Sequence, residues 1–193
     1  PGTKIGTVVA RVKAKALGNA LLTLAGDVLV ANPADPAIQA AATQCTGTTT
    51  HTTIWVLNTS LQGQTVAIPV FVDSKGPLVT MQVCLPSPDI PEAAGGAKFG
   101  AQLVLADFTV KGVFTNAGTT GGYEWSGIYT PYTAGTGTPN AAGTVEWRTY
   151  VGLPSSLTLK KATAKRGFKL TGQLKIAGLN PKGVRLGIYA GKK

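Results

Sequence analysis

The chain has 193 residues, 44% of them hydrophobic and 13% charged, with a formal net charge of +10. Such a hydrophobic share excludes a disordered chain, and the length suits one large domain or a medium domain plus a small module. All of the net charge lies at the end: residues 153–193 hold ten Lys or Arg and no Asp or Glu, whereas residues 1–152 hold eight of each sign.

Hydrophobicity alternates with a period of two from the start. Thr7 to Leu17 places Val8, Ala10, Val12, Ala14 and Ala16 on one face and Arg11, Lys13 and Lys15 on the other, the pattern of a half-buried strand. Leu21 to Val30 is more uniformly apolar, as in a strand covered on both faces. The longer run Ala20–Ala31 is broken by Thr23, Gly26 and Asp27, so no transmembrane segment is expected. The one helical signal follows: Asp35 as cap, Pro36 at the first position, then two turns over Ala37–Thr43.

Strands are predicted at Thr52–Asn58 and Gln64–Asp73. The second points Val66, Ile68, Val70 and Val72 inward, and Pro69 in the opposite register marks an edge or a bulge. After the turn Ser74-Lys75-Gly76-Pro77, the strand Pro77–Leu85 puts Val79, Met81, Val83 and Leu85 inward and Thr80, Gln82 and Cys84 outward. A run from Ala101 to Phe114 comes next. Two aromatic strands, Gly122–Thr130 and Thr144–Val151, flank a Gly/Thr-rich loop, and three basic strands end the chain at Ser156–Lys160, Phe168–Ile176 and Val184–Tyr189. Short strands with turn punctuation imply an all-β fold, an antiparallel β-sandwich of Ig-like or jelly-roll-like kind. The charge switch places a boundary near Leu153-Pro154, between a main domain (1–152) and a small basic module (153–193).

The only cysteines are Cys45 and Cys84. They make a disulfide or two buried thiols. The low-charge, Thr/Gly-rich composition is that of an extracellular protein and favours the disulfide, which would lie on the outer face and pin the loop around Cys45. The chain begins at Pro1 without Met, as a processed or trimmed product would.

The motifs Ser156-Leu157-Thr158-Leu159, Ala164-Lys165-Arg166-Gly167, Leu170-Thr171-Gly172-Gln173-Leu174 and Val184-Arg185-Leu186 together resemble the first half of a bacterial immunoglobulin-like repeat. The resemblance implies a spacer, stalk or adhesive module of a secreted or surface protein, and residues 1–152 look like the body of a secreted bacterial β protein. A full repeat has about seven strands, and here three are predicted. Their apolar face (Leu157, Leu159, Phe168, Leu170, Leu174, Ile176, Leu186 and Ile188) therefore needs a cover. The main domain, a missing C-terminal half, or a strand from another subunit would supply it. Residues 1–17, through Val8, Ala10, Val12 and Ala14, are the candidate donor strand.

Catalytic signals are weak. His51, the only histidine, stands in Thr48-Thr49-Thr50-His51-Thr52-Thr53, a loop entering a strand, with no nucleophile-elbow motif beside it. Glu124 and Glu146 could face each other across a hairpin as a glycosidase pair, but Arg148 shares a face with Glu146 and makes a salt bridge the expected use. No residue pattern calls for a metal or another cofactor. Tyr123, Trp125, Tyr129, Tyr132, Trp147 and Tyr150 form the candidate sugar-stacking group, set against the plain alternative of core anchors and rim. Asn58 heads a glycosylation sequon. The terminal cations alternate with apolar residues, which describes a solvated sheet face rather than a nucleic-acid site. An anionic partner such as a cell-wall polymer suits them better. The resulting expectation is a non-enzymatic extracellular structural protein that polymerises with copies of itself into a surface filament, pilus or layer. The alternative is a carbohydrate-binding or adhesion module.

Overall fold

The computed structural model describes residues 2–114, 122–152, 155–164, 167–176 and 182. The fold is all-β and antiparallel, with one α-helix among the described residues. Six strands form one curled sheet: β1 (Lys4–Ala14), β2 (Ala20–Val30), β3 (Thr53–Leu61), β4 (Gln64–Lys75), β5 (Leu78–Gln82) and β6 (Ala101–Val110), in the order β5-β4-β3-β2-β1-β6. Two separate hairpins follow, β7 (Gly122–Tyr129) with β8 (Val145–Gly152), and β9 (Ser155–Ala164) with β10 (Gly167–Ile176).

The period-two pattern becomes two layers of packing. On one face, Val8 of β1, Val28 of β2, Trp55 and Leu57 of β3, and Val70 and Val72 of β4 form the main core. Ala10, Val12, Leu24 and Leu61 extend it. On the opposite face, Ile54 and Phe71 pack under Ala42 of the helix α1 (Pro36–Thr46). Asp35 caps that helix by accepting a hydrogen bond from the Ala37 N–H, and Gly47, in the left-handed region at φ 77°, ends it. α1 runs beyond Thr43, so Cys45 lies in its last turn rather than in a loop. With only 11 residues it cannot cross a membrane, and no described helix is long and apolar enough to do so.

Several expectations need correction. The N-terminal strand is not available as a donor: β1 is an interior strand, paired on one side to β2 and on the other to β6, and its Val8, Ala10, Val12 and Ala14 are buried in its own chain's core. β2 is covered on one face only and leaves Leu21 exposed. The inward face assigned to Val79, Met81 and Val83 is exposed, because β5 and the segment after it lie at the edge of the sheet, beyond the reach of the core. Pro69 behaves as its register implies: β5 joins β4 only from Phe71 to Lys75, so β4 is itself an edge at Pro69.

Two compact units divide the chain, residues 2–114 with 130–143 in one, and β7 to β10 in the other. The aromatic hairpin thus groups with the basic hairpin, not with the six-stranded sheet, and Leu153-Pro154, where the charge switches, lies outside the described residues. Within the first unit, the loops 83–100 and 130–143 are knitted together. Asp89 accepts a hydrogen bond from the Gly135 N–H at 3.0 Å and pairs with Lys15, and the Tyr132 hydroxyl donates to the Leu85 carbonyl at 2.5 Å. In β9–β10, Leu157 and Leu159 alternate with Thr158 and Lys160, and both leucines are exposed. Leu186, Ile188 and the strand expected at Val184–Tyr189 lie outside the described residues, as do the side chains of Phe168, Leu170 and Ile176.

Candidate functional site

Alternation within β7 and β8 sorts their side chains onto two faces. The pairs Tyr123–Val151, Trp125–Thr149, Gly127–Trp147 and Tyr129–Val145 share one face, and Glu124–Tyr150, Ser126–Arg148 and Ile128–Glu146 share the other. Trp147 stands opposite a residue without a side chain. A Cβ at Gly127 would meet the Trp147 Nε1 at 2.3 Å, so the indole lies down over the glycine backbone. Covering a strand glycine with an aromatic ring protects the hairpin's backbone. Trp147 nevertheless remains 51% exposed. Trp125 is 42% and Tyr129 58% exposed. Tyr123 is half-buried at the end of the row.

The reverse face holds the hairpin's charge. Arg148 bridges Glu124 at 3.3 Å and Glu146 at 3.1 Å. The Tyr150 hydroxyl donates to Glu124 Oε2 at 2.7 Å. That hydrogen bond, reinforced by the carboxylate's charge, raises the Tyr150 phenol above its ordinary value. The two carboxylates do not oppose each other: Glu124 pairs with Tyr150, Glu146 pairs with Ile128, and the Arg148 guanidinium binds both. This is an exposed ion-pair network of the kind that contributes little to stability.

The six aromatics therefore separate. Tyr123, Trp125, Tyr129 and Trp147 share a face. Tyr150 is on the reverse, and Tyr132 belongs to the first unit, where its hydroxyl ties down the 83–100 loop. Parity in β8 already distinguishes Tyr150 from Trp147. The residue that sequence reasoning passed over is Gly127, and its signal was a lone glycine inside an aromatic strand.

His51 is a buried organiser. Its side chain is 1% exposed and stacks at a tilt on Phe71, with ring centroids 4.9 Å apart. Nδ1 meets Asp73 Oδ2 at 2.9 Å, and Nε2 meets the Thr46 hydroxyl at 3.0 Å. The Thr52 N–H also donates to Asp73, at 3.1 Å. The imidazole thus ties the end of α1 to β4. The surrounding threonines make local turn bonds, Thr48 N–H to Thr46 Oγ1 and Thr50 N–H to Thr48 Oγ1.

The His51 hydrogen bond holds the Asp73 carboxyl below its ordinary 3.8, against an opposing effect of burial. A carboxyl whose pKa is lower folded than unfolded stabilises the fold above the unfolded value, and that stability is lost as pH falls through the folded value. Asp73→Asn is therefore expected to flatten the fall in urea midpoint below about pH 4. The effect should be under about 1 kcal/mol, because the carboxylate is half exposed. Identical acid limbs in wild type and variant would remove His51–Asp73 as a contributor.

Cys45 and Cys84 form a disulfide with a Cα–Cα distance of 5.6 Å, and Gln82 Nε2 donates to the Cys45 carbonyl at 3.0 Å. Asn58 is half-buried in the middle of β3, paired with Asp27 of β2 and Ala67 of β4. Among the described residues, no group of three or more His, Cys, Asp or Glu is arranged to hold a metal ion. No family model, curated protein or solved structure matches the chain.

Proposed function

We propose that this chain is an extracellular adhesion module that binds carbohydrate through the β7–β8 face of Trp125, Trp147 and Tyr129, without catalysing a reaction. One observation carries the reading. Three large aromatic rings stand exposed on a single ribbon face, while the hairpin's charged side chains are on the reverse. Exposed Trp and Tyr are costly in water, and sugar rings with apolar C–H faces are suited to cover them. The disulfide supports an oxidising, extracellular setting.

A glycan array tests it. Wild type is expected to bind at least one class of glycan, and Trp125→Ala and Trp147→Ala are each expected to weaken that binding about tenfold, with an unchanged circular dichroism spectrum. Binding to no glycan, or undiminished binding by both variants, would sink the proposal.

A second reading is homopolymerisation into a surface filament or layer. It is favoured by the open edge at β5, where Leu78, Val79 and Met81 are exposed and available for strand addition. In this form the polymer uses β5 rather than the N-terminal strand. Electron micrographs of the same preparations decide it: ordered fibres or sheets support assembly, and dispersed single particles at high concentration count against it.

A further inference from the structure

We infer that the aromatic face takes a neutral, extended, β-1,4-linked polysaccharide, several sugar units at a time, rather than a single sugar or a charged polymer. This inference rests on the carbohydrate reading above and adds the class of ligand.

The first ground is the spacing of the rings. Trp125 and Tyr129 lie four residues apart on β7, and Trp147 stands opposite Gly127 between them. At about 3.4 Å per residue, the three positions advance by about 7 Å each and span about 14 Å along the ribbon. One sugar ring covers one aromatic ring, so a monosaccharide would leave two of the three in water. Only a chain lying along the ribbon uses the whole row.

The second is the posture of Trp147. The indole lies over Gly127 and is 51% exposed, so it is open to a ligand. A row of open aromatic rings matches a ligand whose successive units offer flat C–H surfaces. β-1,4-linked chains with equatorial bonds are extended ribbons of that kind, whereas α-1,4-linked chains coil and curve away from a straight row.

The third is charge. The non-aromatic positions on this face are Gly127, Val145, Thr149 and Val151, so it carries no Lys, Arg, Asp or Glu. Arg148, the hairpin's one cation, is on the reverse, between Glu124 and Glu146. A polyanion would find no counter-charge here, and desolvating its carboxylates or sulfates against indole rings would be unfavourable. With Thr149 the only aliphatic hydroxyl on the face, recognition rests on stacking, and affinity must come from the number of rings engaged.

Isothermal titration of the full chain with β-1,4-linked glucose and N-acetylglucosamine oligomers of increasing length tests this. Affinity is expected to rise at least about tenfold from the disaccharide to the hexasaccharide in one of these series, since each further stacked ring adds a share of binding energy. Maltohexaose and polygalacturonate should show no comparable binding. Gly127→Ala, which forces the Trp147 indole off the ribbon, should lose most of the length-dependent gain while keeping the fold. The inference is overturned if disaccharide and hexasaccharide bind equally, if the α-linked or charged polymer binds as well or better, or if Gly127→Ala leaves the gain intact. Each of those results still leaves the chain a sugar binder. Failure on the whole glycan array would instead remove the parent reading, and this inference with it.

Discussion

Deleting residues 1–17 is expected to abolish folding of the first unit. β1 supplies the ladder partner of β2 on one side and of β6 on the other, and among the described residues β6 has no other partner strand. Its removal uncovers Val28, Trp55 and Val70, which share a core with Val8. At about 1.5 kcal/mol or more for each large apolar side chain, plus the orphaned backbone groups of two neighbouring strands, the loss approaches or exceeds the roughly 5–15 kcal/mol that holds a domain together. The truncated chain should be insoluble, or lack dispersed amide resonances and a cooperative melt. A soluble, folded monomer is the result required by an N-terminal strand that serves a neighbour's groove, and it would overturn the placement of β1 in its own sheet. Val8→Asp gives a milder version, burying an unpaired charge at the same point.

Removing the disulfide is expected to be the next largest effect. Cys45 and Cys84 are 39 residues apart in sequence, and the chain-entropy account assigns such a bridge about 4 kcal/mol. In a chain of this length that corresponds to a fall in melting temperature of about 8–16 °C. The Cys45→Ser, Cys84→Ser double variant and the reduced wild-type protein should melt alike. The loss has a location. The bridge ties the last turn of α1 to the residues just after β5, a strand that is exposed along its whole length. Amide exchange should therefore quicken first at the end of α1 and in β5. A change below about 1 kcal/mol would mean that the helix stays in place through Ile54, Phe71 and the His51 bonds alone.

Much of this is legible in the chain because covalent geometry imposes it locally. A strand's side chains must alternate, so Val66, Ile68, Val70 and Val72 could be assigned to one face, and Ile68, Val70 and Val72 pack into the core. Cap chemistry is local as well, and it located the start of α1 at Asp35-Pro36. The two cysteines left a single pairing, in a composition that suits oxidation. Parity could also have removed Tyr150 from the aromatic face, since it differs from Trp147 by an odd number of positions.

What was not legible depended on partners far away in sequence. Nothing near Lys4–Ala14 says whether its apolar face fills its own chain's core or a neighbour's groove, since both need the same alternation. Nothing near His51 points to Asp73, and nothing near Gly127 points to Trp147. The same blindness placed Val79 and Met81 inside. Alternation assigns a face, but only the strand order shows that β5 is at an edge, where that face has nothing to cover it.

Local chemistry along the chain accounts for the β class, the single possible cysteine pairing, the helix start and the concentration of positive charge in the last 41 residues. Long-range pairing makes β1 interior, lets His51 clasp the end of the helix to β4, and lines up three rings on one face of a hairpin. Alternation and capping are settled by a residue and its near neighbours. Pairing and register are settled by which distant strands bury the most apolar surface while satisfying every ladder bond, and that choice is made by the whole chain at once.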